Sequence, residues 1–201
     1  MKFSTQLLNI WVVRALKPAT GLAWIVLLLF RAISADSQSR PVPEACGQGV
    51  ACKANITIGE GYATDSEIIE SAITVLEIVR GEKAWDMVKA ASPSNRSPDS
   101  GMEYIAARIK FVFGIKRATG ELSYGIRDEQ FALVSEYGRQ YASPSIVAPK
   151  PELRGRLYPG ESLEGWIVLL VSMDDKKPLM SFGNNYSRVW FKLYWLKEGS
   201  Q

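Results

Sequence analysis

Histidine is missing altogether from these 201 residues. Its absence removes Ser-His-Asp and Cys-His catalysis, the histidine-containing zinc sites and the usual general base near neutral pH. An excess of one charge is missing too, with 24 Lys+Arg against 21 Asp+Glu and a net charge of +3. So balanced a chain offers no electrostatic case for nucleic acid, which requires basic residues gathered on one face. Cysteine is scarce, at two residues, so no disulfide framework stands in for a core. Two cysteines without histidine do not make a metal site, and no cofactor or metal is expected. The longest apolar run falls short of the roughly 20 residues that span a bilayer. Strands and helices do not alternate as they do in a nucleotide-binding parallel sheet.

What is present is ordinary globular material, 47% hydrophobic and 22% charged. That is enough to bury one core without help from disulfides. The first stretch differs from the rest. Lys2, Arg14 and Lys17 precede the apolar run from Gly21 to Phe30, and Arg31-Ala-Ile-Ser-Ala35 makes a small-residue exit. A charged start, a short apolar centre and such an exit match a secretory signal, cleaved after Ser34 or Ala35 or kept as a signal anchor. Residues 1–35 are therefore read as this leader, 36–57 as a linker, 58–197 as the folded domain and 198–201 as a tail. Cys46 and Cys52 bracket a short flexible loop in the linker. In an oxidising compartment they could close a small ring; otherwise they are two free thiols.

From about residue 58 short apolar segments alternate with turn signals. Ile68 to Val79 is rich in β-branched residues, which crowd a helix and fit a pleat, and it reads as a strand. Glu82 to Ala91 has helical spacing and stops before Pro93, giving one or two helical turns inside a connection. Met102 to Phe113 is the clearest strand. Ile105, Ala107, Ile109, Phe111 and Phe113 share one wholly apolar face that should line the core. Short strands follow at Glu121–Ile126, Phe131–Ser135, Ser162–Val171, Leu179–Phe182 and Val189–Leu196, with a Pro-Gly turn at Tyr158–Glu161. About seven strands and few helices point to an antiparallel sandwich or barrel.

The segment Leu157 to Val171 carries a resemblance: a Pro-Gly-Glu turn leads into a Gly-Trp-hydrophobic strand, then Met173 to Phe182 supplies a polar turn and a short Leu-rich strand. This resembles the C-terminal half of the domain of unknown function 4352 family, immunoglobulin-like domains of exported bacterial proteins and lipoproteins. Met102 to Phe111, the Phe131 to Tyr141 hairpin and Glu77 to Glu82 resemble its other segments, and the likeness spans roughly residues 58 to 196. The chain departs in a longer Ala84–Ala91 insert and in lacking a lipid-attachment cysteine after the leader. The resemblance implies an all-β, immunoglobulin-like antiparallel β-sandwich with one short helical insert, preceded by the signal or anchor helix. It brings no catalytic residues.

Several groups of side chains bear on a possible site. Asp65, Glu67 and Glu70, and likewise Asp174-Asp175, lack the ligand spacing of a calcium loop and read as solvated surface. Asp99 and Glu103 flank a loop, but nothing sets them at a catalytic separation. Trp166 and Trp190 lie among apolar neighbours and read as core; Trp85, beside a loop, is the candidate exposed binding aromatic. Asn55-Ile-Thr57 and Asn185-Tyr-Ser187 match the glycosylation sequon, which matters only in a eukaryotic secretory pathway. The expectation is thus an exported, non-catalytic binding or interaction module with no catalytic, cofactor or metal residues. Its partner is a protein or cell-envelope component, and it meets a membrane only through an uncleaved leader. A membrane-anchored accessory domain of an envelope complex is the alternative, and a carboxylate-based hydrolase ranks last.

Overall fold

The computed structural model describes residues 44–58, 67–114, 122–183 and 188–194; the leader, the tail, Asp65 and the Asn185 sequon lie outside them. The elements run β1 (Ala51–Ile58), β2 (Glu67–Arg80), α1 (Glu82–Ala91), β3 (Met102–Val112), β4 (Tyr124–Ile126), β5 (Phe131–Val134), β6 (Gly155–Leu157), β7 (Ser162–Ser172), β8 (Leu179–Phe182) and β9 (Val189–Lys192). They form a four-stranded sheet in the order β1-β2-β3-β7, a three-stranded sheet β5-β8-β9 and a small β4-β6 pair, and every strand pairing is antiparallel. The described residues form a β-sandwich with one α-helix and a short 3-10 turn at Asp128–Gln130. Among the described residues no helix is long and apolar enough to cross a membrane.

The two larger sheets close over one core. Ile105, Ala107, Ile109, Phe111 and Phe113 are all fully buried, as the alternation requires. Phe111 on β3 meets Phe182 on β8 with ring centroids 6.0 Å apart, and Phe182 meets Phe131 on β5 at 4.9 Å, so aromatic packing ties sheet to sheet. Each such side chain contributes roughly 1.5–3 kcal/mol by leaving water.

The outer face of the larger sheet is also partly covered. Tyr104, Ala106, Trp166 and Val168 are buried there beneath Ala84 and Val88 of α1 and beside Ala148. Ten residues long, α1 exceeds the one or two turns expected from its spacing. Its register is fixed by Gly81, whose φ of +72° allows the turn out of β2. A Cβ there would meet Glu103 at 3.1 Å.

Strand β1 begins inside the segment read as a linker. Its residues alternate exposed and buried from Ala51 to Ile56, with Cys52, Ala54 and Ile56 inward, and eight consecutive residues pair with β2 in register. The sandwich therefore starts before residue 58. The Gly-Trp strand has a physical explanation as well. A Cβ on Gly165 would lie 2.5–2.6 Å from backbone atoms of Glu152 and Leu153, so the chain can approach β7 only over a glycine. The preceding turn is equally specified. Glu161 N donates to Tyr158 O (3.0 Å), Glu161 Oε2 accepts from Tyr158 N (2.8 Å), and Gly160 adopts φ +93° after Pro159.

Gly165→Ala should destabilise the fold by about 2–3 kcal/mol, because neither backbone can yield without disrupting a sheet edge. Gly125→Ala has open space around its Cβ and should change stability by no more than about 0.5 kcal/mol. Urea unfolding of both variants checks this; equal midpoints would contradict it.

Candidate interaction surface

A sandwich of open sheets has edges, and each exposes unpaired backbone groups that will pair with any strand they meet. Three of the four edges of the two larger sheets are engaged by the chain itself, β5 and β9 along much of their length and β7 at Trp166. Along β5 the hairpin folds back: Ser135 N donates to Arg139 O (2.8 Å) and Tyr141 N to Leu133 O (2.9 Å). Along β9 runs Cys46, whose N donates to Trp190 O (2.8 Å) while its O accepts from Lys192 N (2.9 Å). Along β7, over Gly165, Leu153 N donates to Trp166 O (3.1 Å) and Trp166 N to Pro151 O (2.8 Å). The fourth edge is the outer side of β1. Among the described residues, nothing pairs with it.

β1 also lacks the usual defences of an edge. It has no proline, its pairing with β2 has no register shift, and no charge points inward. Its one charge, Lys53, faces outward and is neutralised by Glu70 at 3.3 Å. The remaining outward residues, Ala51, Asn55 and Thr57, are small or neutral. Next to Thr57, Ile68 of β2 is 66% exposed, adding an apolar contact beside the edge.

The disulfide fixes where this edge begins. Cys46 and Cys52 are bonded. Since Cys46 lies along β9 and Cys52 is the second residue of β1, the bond staples the edge of one sheet to the edge of the other. Gln48 Nε2 donating to Leu76 O (2.9 Å) and Gly49 N to Val75 O (2.8 Å) anchor the crossover between them.

The polar clusters are spent on structure. Arg80 Nε donates to Glu103 Oε1 (2.7 Å) and Nη2 to the Asp175 carbonyl (2.6 Å). Buried Asp175 accepts in turn from Tyr141 OH (2.9 Å) and Lys177 N (3.1 Å). Glu103 is thus an ion-pair partner of Arg80, and its prospective companion Asp99 is exposed. This network joins the ends of β2, β3 and β7 to the hairpin after β5. Residues so far apart in sequence gave no signal of it. Arg154 holds Glu152 (2.7 Å), Asp128 (3.2 Å) and Glu129 (3.4 Å) at the surface, where such pairs contribute little. Glu70 is the partner of Lys53, and Asp174 is exposed. Among the described residues no group of three or more His, Cys, Asp or Glu could hold a metal.

Trp85 is half-buried, its ring tilted against Tyr104 at 6.1 Å, and Trp190 is half-buried beneath the Arg188 guanidinium at 5.5 Å. Trp166 is buried, but on the outer face of the larger sheet. A shallow cleft of about 230 Å3 is lined by Asn55, Thr57, Tyr124, Gln130 and Phe182 among others. Two of its polar side chains are engaged: Gln130 Nε2 donates to Tyr124 OH (2.9 Å) and to Gly125 O (3.1 Å), and Gln130 Oε1 accepts from Arg127 N (2.8 Å).

Fold and surface together define a β-sandwich with a disulfide-stapled crossover and, among the described residues, an edge at β1 with no backbone partner. No family model matches the chain, and no curated protein matches it. Among solved structures it is similar to the ycdA protein of Bacillus subtilis, provisionally described as a lipoprotein (TM-score 0.44, 12% identity, 61% of this chain); the chain spans 35% of that protein's length. It is similar to the yjhA protein of the same organism (TM-score 0.43, 13% identity), covering 73% of this chain and 98% of that one. It is also similar to MPT63, a secreted protein of Mycobacterium tuberculosis (TM-score 0.43, 12% identity), covering 76% of this chain and 99% of that one.

Three tyrosines are held in their neutral form. Burial raises the phenols of Tyr104, Tyr124 and Tyr141, with the Asp99 charge adding at Tyr104 and the Asp175 hydrogen bond adding at Tyr141. A folded pKa above the unfolded value of about 10 means that this stability is intact below pH ~10 and is lost as pH rises through the folded values. An alkaline absorbance titration of the folded chain should show these three ionising above the range of a free phenol. Reversible ionisation of all 8 tyrosines near pH 10 in the folded chain would contradict the assignment.

Proposed function

We propose that this chain is an exported, non-catalytic interaction module that engages a protein or cell-envelope partner through its surface. The observation that carries the reading is the Cys46–Cys52 bond, set between the edges of two sheets. A disulfide persists where the compartment is oxidising and is rare where thiols are kept reduced. The leader-like pattern of residues 1–35 supports the same location from an independent part of the sequence. The resemblance of residues 58–196 to the domain of unknown function 4352 family is in keeping with it.

For the interaction itself, the support is the contrast among edges. A backbone edge that is long, regular and uncovered is suited to receive a strand, with main-chain hydrogen bonds giving affinity and alternate side chains giving selectivity. The ionisable groups of the Arg80 and Arg154 clusters are engaged with one another, which suits a binding role better than proton transfer.

The test is thiol trapping. The protein taken from a cell that exports it, alkylated before lysis, is expected to show no modified cysteine until it is reduced, and a mature N-terminus beyond residue 34 or an intact leader held in membranes. Two alkylated thiols in a cytosolic protein would overturn the proposal.

A further inference from the structure

We propose that the uncovered edge of β1 pairs with β1 of a second copy of this chain, antiparallel about a two-fold axis at Ala54. This deepens the interaction reading above, on which it rests, by naming the partner. The argument begins with the contrast already drawn. The hairpin return and Cys46 lie along β5 and β9, residues 151–153 engage β7 at Trp166, and among the described residues no backbone contact is made to the outer side of β1 along its whole length. That edge is then the place prepared for an outside strand.

The side chains of β1 say which strand fits. Antiparallel pairing about Ala54 sets Ala54 against its own copy and Cys52 against Ile56, all on the inner face, where these three residues are buried in the core. The two cores would run on into each other. On the outer face Lys53 comes opposite Asn55, and Ala51 opposite Thr57, so no like charges meet. Asn55 lies beside Glu70 in the sheet. Each Lys53 therefore sits between its own Glu70 at 3.3 Å and, across the second copy's Asn55, that copy's Glu70. Two strand spacings of about 4.8 Å each separate them, a gap that an extended lysine and a glutamate reaching toward each other can close. The charges alternate around the axis and sum to zero. Moving the axis one residue, to Lys53, shifts the partners by two and keeps each side chain on its face, but it would oppose two ammonium groups, so charge selects the register.

The pairing is isologous and closes on itself, joining the two four-stranded sheets into one without leaving a new edge to grow. The seven paired residues a side, Ala51 to Thr57, make a small interface, so association is weak and concentration-dependent.

The test is sedimentation of the full chain across a concentration series, in wild type, Asn55→Lys and Asn55→Thr. Asn55 is exposed and faces Glu70, so a lysine there leaves the monomer folded, which circular dichroism verifies. In the dimer the new lysine meets Lys53 on both sides of the axis. The wild type should move from one chain of 22.3 kDa toward two as concentration rises. Asn55→Lys should weaken this about tenfold, from two added repulsions, and Asn55→Thr should associate like the wild type. A wild type that stays monomeric overturns the inference, and so does association unmoved by Asn55→Lys, as an apolar leader would give. Neither result touches the export reading, which thiol trapping decides separately.

Discussion

β3 is buried on both of its faces, and most of the architecture follows from the two different ways in which that is achieved. Inward, Ile105, Ala107, Ile109, Phe111 and Phe113 pack against the second sheet. Outward, Tyr104 and Ala106 are capped by α1, while Arg108 and Lys110 further along remain in reach of solvent and pair with Glu77 and Glu164. A strand so placed must be central, with partners on each side, and β2 and β7 supply them along almost its whole length. The edges are thereby pushed out to β1 and β7, and how each is treated becomes the question that bears on function.

The answer is written in backbone contacts more than in side chains. Gly165 permits residues 151–153 to lie along β7, and Cys46 lies along β9, held in place by its bond to Cys52. The disulfide therefore does two things with one bond: it closes the crossover that leads into β1, and it keeps a strand-like segment against the edge of the opposite sheet. In the chain-entropy account so short a loop gives only about 2 kcal/mol. Its structural consequence is larger than that figure suggests, because it fixes the boundary between a covered edge and an open one.

Much of this was legible in the sequence, and the exceptions share a cause. β3 and β7 announced themselves through uninterrupted apolar alternation or apolar runs, and the Tyr158–Glu161 turn through its Pro-Gly pair. β1 is harder to read, although Cys52, Ala54, Ile56 and Ile58 recur at every second position. Gly47, Gly49, Lys53 and Asn55 gave the stretch the composition of a loop, and composition outweighed period. β6 was too short, at three residues, to carry a pattern. The Arg80–Glu103–Asp175–Tyr141 network joins residues far apart in the chain, and nothing local marks one as the partner of another. Trp85 borders a loop and is half-buried, with its ring tilted against Tyr104 of β3, a contact that nothing local in the sequence marks. The covering of edges was the least readable feature, since it depends on which loop the fold lays along which strand.

Hydrogen–deuterium exchange, read peptide by peptide at low and high protein concentration, tests the central claim most directly. The account predicts that concentration slows exchange in Ala51–Ile58 and leaves β5, β7 and β9 unchanged. Protection of β1 that is already complete at the lowest concentration, or that appears at another edge instead, would contradict it.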